Sequence, residues 1–98
     1  MEKLDSLPVV WLIGEGLLIE IIATSLEEQS NLHLVRREKP NSTFFQEAIL
    51  FKPAMIIFEI DDPVRYELLD LVKRCPEIQM LGIDRDCGLA LVVSSFRI

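Results

Sequence analysis

Five carboxylates are the first candidates for chemistry: Glu15, Glu59, Asp61, Asp62 and Asp84. Each follows closely on an apolar run. If those runs are strands of one sheet, the acids gather at one edge. Converging carboxylates can hold magnesium or calcium, which take several oxygens at about 2.0–2.6 Å. A simpler role competes with this. In Asp61-Asp62-Pro63 an acid stands at a helix N-cap with proline as the first helical residue. Glu15 likewise stands at the start of a second helix, where the dipole favours negative charge. Capping accounts for the acids without a metal, so none is expected.

The remaining reactive residues assemble no catalytic set. Gly14-Glu15-Gly16 has the look of a phosphate-cradling turn. It lacks the third glycine, because position 19 is Ile, and Glu15 would repel a phosphate. His33 is the only histidine and has no second ligand at metal spacing. Cys75 and Cys87 suit small packing residues better than a redox pair. No Ser-His-Asp or Cys-His arrangement can be built. Arg36, Arg37 and Lys39 form a short basic patch, too small for nucleic acid. The expectation is a protein that is not an enzyme and carries no cofactor.

The elements that must position these residues alternate in type. Residues 9–13 are a continuous apolar run, suited to a strand buried on both faces. Leu17, Leu18, Ile21, Ile22 and Leu26 recur at helical spacing. Residues 32–36 read as a more polar strand, nearer an edge. Thr43 and Gln46 fit a capping box ahead of a helix whose apolar face is Phe44, Phe45, Ala48 and Ile49. Residues 54–58 are the clearest central strand. Val64, Leu68, Leu69 and Val72 give a third helix its stripe, closed by Cys75-Pro76. Residues 78–83 and 89–93 are two further strands. The order β-α-β-α-β-α-β-β favours a parallel sheet with helices on both faces. The last link differs. Only four residues, Arg85-Asp86-Cys87-Gly88, separate the final strands, whereas a parallel crossover needs about a dozen or more. The fifth strand is therefore expected to run antiparallel, as a hairpin closed by Gly88.

Composition bounds the rest. Ninety-eight residues and 11.2 kDa suit one domain, residues 1–98. Sixteen acids against ten bases leave a charge of -6, which disfavours nucleic acid and anionic lipid as partners. Hydrophobic residues make up 50% of the chain, so a packed core is expected rather than disorder. No apolar run approaches the roughly 18–20 residues of a membrane helix, and Glu2, Lys3 and Asp5 do not begin a signal peptide. A reduced, cytoplasmic protein is the expectation.

Residues 10–84 resemble the receiver domain of bacterial response regulators, a flavodoxin-like fold. The stretch Pro53-Ala-Met-Ile-Ile-Phe-Glu-Ile-Asp-Asp-Pro63 is similar to the receiver's third strand and following loop, and Leu17-Leu18-Ile19-Glu20 to the start of its first helix. The resemblance implies a three-layer α/β sheet of order 2-1-3-4-5. It also implies a crevice beyond the carboxyl ends of strands one and three. Here that crevice would be formed by Gly14, Gly16, Asp61 and Asp62. A receiver's phosphorylation site does not carry over. Its acidic pair falls on Ile13 and Gly14, with Glu15 one place later. Its phosphate-accepting aspartate corresponds to Glu59, one methylene longer. Its hydroxyl residue corresponds to Ile83 or Asp84. Its lysine and its last two helices have no counterpart in the 98 residues.

The resemblance thus implies a degenerate receiver that signals by protein contact and not by phosphorylation, with a small-ligand or anion sensor as the alternative. Strands three to five are apolar on both faces, and one sheet face carries a single helix. An exposed apolar patch of that kind marks an interface. A homodimer is expected, with Leu89, Leu91, Val93 and Phe96 as the candidate surface, beside an unidentified signalling partner.

Overall fold

The computed structural model describes residues 7–37, 43–60, 65–84 and 89–93, with Arg65 and the last stretch described by backbone alone. The chain runs β1 (Val9–Ile13), α1 (Leu17–Glu27), β2 (His33–Arg37), α2 (Phe44–Phe51), β3 (Met55–Glu59), α3 (Arg65–Arg74), β4 (Gln79–Asp84) and β5 (Leu89–Val93). This is an α/β fold in which β1 to β4 form a parallel sheet. β1 lies between β2 and β3, with Trp11 opposite Val35 on one side and Ile56 on the other. β3 pairs β4, with Glu59 opposite Ile83. β5 lies beyond β4 in antiparallel register, with Gly82 opposite Leu91. The link at residues 85–88, with the turn expected at Gly88, lies outside the described residues.

Side-chain alternation along the strands sends successive residues to opposite faces, and two cores result. Val10, Leu12 and Ile57 pack with Ile19 and Ala23 of α1. Trp11, Ile13, Ile56, Phe58 and Met80 pack with Phe44 and Ala48 of α2 and with Leu68, Leu71 and Val72 of α3. Phe44 is fully buried. Its ring lies 5.2 Å from that of Trp11 and 4.8 Å from that of Phe45, the latter edge-on. Burial of each such side chain contributes about 1.5–3 kcal/mol.

Two helix faces depart from the expected stripes. In α1, Ile19 and Ala23 are buried, while Leu17 and Ile21 are exposed. The helix is apolar around much of its circumference, so periodicity admits two overlapping faces. Close approach to the sheet selects the one that carries small Ala23. In α3, Leu71 is buried and Leu69 exposed; Val64 lies outside the described residues. The capping box does not form either. Thr43 occupies the N-cap of α2 in a helical conformation and makes no cap hydrogen bond. Its hydroxyl instead donates to Glu47 at 3.4 Å. α2 closes at Lys52, which takes the left-handed conformation at φ 50° while its N–H donates to the Ala48 carbonyl. Pro53 then bars further helix.

Candidate functional site

The carboxyl ends of β1 and β3 meet the start of α1. β1 ends in Ile13, and Gly14 turns the chain at φ 124° while its N–H donates to the Arg37 carbonyl at 3.1 Å. A side chain at Gly14 would be strained at that angle. Its β-carbon would also stand 3.2 Å from Cγ1 of Ile19. Gly16 is the N-cap of α1 and supplies no side-chain cap. Into the space left by its missing side chain comes Glu59, from the end of β3. A β-carbon on Gly16 would lie 3.3 Å from Oε1 and 3.5 Å from Oε2 of that carboxylate.

Glu59 is only 8% exposed, and its Oε2 is buried without a hydrogen-bond partner. The positive end of α1 offsets part of the cost of holding a carboxylate there. The other positions that would make up a phosphorylation centre are arranged quite differently. Ile13 is fully buried in the core under α2 and α3, on the sheet face opposite the one that packs α1. Glu15 is exposed. Asp84 is half-buried at the end of β4, opposite Leu89. Asp61 and Asp62 lie outside the described residues. The structure therefore brings Glu59 and Gly16 together but does not group Ile13 with them. Among the described residues, no three His, Cys, Asp or Glu side chains are placed to hold a metal ion.

Away from Glu59, a concavity not expected from the sequence lies at the β2 margin of the sheet. A groove of about 370 Å³ is lined by Val9, Trp11, His33, Val35, Arg37, Glu47 and Phe51. The Arg37 guanidinium lies 5.4 Å from the ring centroids of both Trp11 and Phe44, and its Nη1 donates to Glu47 Oε1 at 2.6 Å. Arg36 points to the other face and donates to Glu20 at 2.9 Å. The expected basic patch is thus divided between two faces, and each of its arginines is balanced by an acid; Lys39 lies outside the described residues. The signal for the groove was the alternation of His33, Val35 and Arg37 along one strand. Its floor, Trp11, comes from another strand and its wall, Phe51, from a helix.

The residues expected to form a dimer surface fall elsewhere. Leu89, Leu91 and Val93 stand in register with Asp84, Gly82 and Met80, whereas Phe96 lies outside the described residues. Cys75 is buried in the core beside α3, and Cys87 is likewise outside. No family profile, curated protein or solved structure matches the chain. Among the described residues no helix is long and apolar enough to cross a membrane.

Proposed function

We propose that the protein is a non-catalytic, receiver-like regulatory module of the cytoplasm that signals through protein contacts, self-association among them, and is not phosphorylated. One observation carries this reading: the carboxylate in the receiver nucleophile's position, Glu59, is buried against Gly16 while Ile13 is packed in the opposite core. A phosphoryl donor needs an accessible oxygen in line with the bond it breaks and a metal to neutralise developing charge. Burial removes the first, and an isoleucine supplies no metal ligand. The reading includes the finer architecture, a flavodoxin-like sheet of order 2-1-3-4-5 ending in a β4–β5 hairpin. The parallel pairings of β1 to β4 and the antiparallel register of β5 support it. Incubation with acetyl phosphate and magnesium should leave the intact mass unchanged. A hydroxylamine-sensitive phosphoryl adduct on Glu59 would overturn the proposal.

A small-ligand sensor at the same crevice is the second reading. The unpartnered Oε2 of Glu59 favours it: were the Gly16–Glu59 contact to open, a ligand N–H or O–H would satisfy that oxygen. The same carboxylate opposes an anion. A thermal-shift screen in which amines stabilise the protein and phosphates do not would support this reading; no response to either would end it.

A further inference from the structure

We infer that the β2 margin is a self-recognition surface: two copies of the chain pair their β2 strands antiparallel about a two-fold axis through Val35, merging their sheets and the grooves beside them. This rests on the reading of the protein as a contact module and names the surface it would use.

The backbone sets the register. His33 N–H donates to the Pro8 carbonyl, and the Arg37 carbonyl accepts from Gly14 N–H. Residues of a strand alternate in the direction of their hydrogen-bonding groups. His33, Val35 and Arg37 therefore turn theirs to β1, while Leu34 and Arg36 turn theirs to the margin of the sheet. Among the described residues β2 is the last strand on that side. With the axis at Val35, Leu34 of each copy stands opposite Arg36 of the other. Every margin-facing group of one strand then meets a complement on its mate. A register shifted by two residues would pair only one such residue of each strand with a margin-facing residue of the other.

The side chains agree with this register. Opposed residues of an antiparallel pair share a face. Val35 meets Val35 at the axis, on the face that carries the groove. His33 of one copy faces Arg37 and Glu47 of the other, where the half-exposed Glu47 carboxylate can accept from the imidazole. Phe51, 68% exposed, supplies apolar surface at the groove's wall. An acidic peptide is the weaker occupant. Arg36 and Arg37 are already balanced by Glu20 and Glu47, so added acids would gain little there. A second copy brings its own balanced pairs.

The test is a charge swap at the axis. Light scattering across low to high micromolar protein should give a dimer for the unaltered chain. Val35→Lys and Val35→Glu should each weaken association about tenfold or more, and an equimolar mixture of the two should restore it. Leu91→Lys should change nothing. Because Val35 is partly buried, hydrogen exchange on the unaltered chain is the companion measurement: Leu34 amide protection should rise with protein concentration. A monomer throughout the range, or concentration-independent exchange at Leu34, would overturn the proposal. A dimer broken by Leu91→Lys and indifferent to Val35 would overturn it too, yet leave the contact-module reading standing. A phosphoryl adduct on Glu59 would do the reverse.

Discussion

Glu59 and Gly16 are fitted to one another: the carboxylate from the end of β3 fills the space that any side chain at the N-cap of α1 would occupy. The helix terminus favours that charge by about 0.3–1 kcal/mol. A buried acceptor without a donor costs about 1–3 kcal/mol, and more when charged. The second effect is larger, so the carboxylate is held at a net cost. Glu59→Met, similar in volume and without polar oxygens, should therefore stabilise the protein by about 1 kcal/mol. In a domain of this size that raises the melting temperature by roughly 4–8 °C. A fall in melting temperature would mean that Oε2 has a donor in solution.

Reinstating a receiver's acids should not reinstate its chemistry. Ile13 is fully buried among Trp11, Phe44 and Phe58. Ile13→Asp would place a carboxylate in that apolar cluster and remove well-packed atoms as well. A loss of about 3–5 kcal/mol is expected, readable by urea titration. Magnesium should not recover it, because the residue faces the wrong core.

Gly14 gives a second check at the same turn. At φ 124° an L side chain is strained, and a new β-carbon meets Ile19 at 3.2 Å. Gly14→Ala should cost about 1–3 kcal/mol. Gly16→Ala is different, because φ -76° and ψ 170° are open to any residue. Its cost depends only on how far Glu59 can move. Combining Gly16→Ala with Glu59→Ala should therefore be milder than the sum of the two, whereas Gly14→Ala should add independently of Glu59→Ala.

The strands were legible in the sequence because a strand buried on both faces, such as Val9–Ile13, leaves an unbroken apolar run. The helix faces were less so. Leu17 and Ile21 satisfy helical spacing as well as Leu18 and Ile22 do, and only the position of the sheet decides between them. Glu59 was visible as an acid at a strand end. Its burial was not, since that depends on α1 beginning with a bare glycine 43 positions earlier in the chain. Arg37 shows the same limit. Nothing local to β2 indicates that its guanidinium will meet Trp11 of β1 and both Phe44 and Glu47 of α2.

That arginine carries the last prediction. Its guanidinium interacts with the two aromatic rings and with the Glu47 carboxylate at once, and the planar fork suits both. Arg37→Met keeps the aliphatic contact and loses both polar terms, at a cost of about 1–2 kcal/mol. Arg37→Lys keeps the charge but loses the planar face, so an intermediate loss of about 1 kcal/mol is expected. Because Glu47 is 37% exposed, water can solvate it once Arg37 is gone, and no large penalty for a stranded charge follows. A double-mutant cycle of Arg37→Met with Glu47→Gln, in protein too dilute to associate, separates the two terms. The coupling should be on the order of 0.5–1 kcal/mol and should shrink as salt rises. The rest of the Arg37 effect, from the rings, should be insensitive to salt. A coupling equal to the whole loss at Arg37 would show that Trp11 and Phe44 merely neighbour the ion pair and add nothing to it.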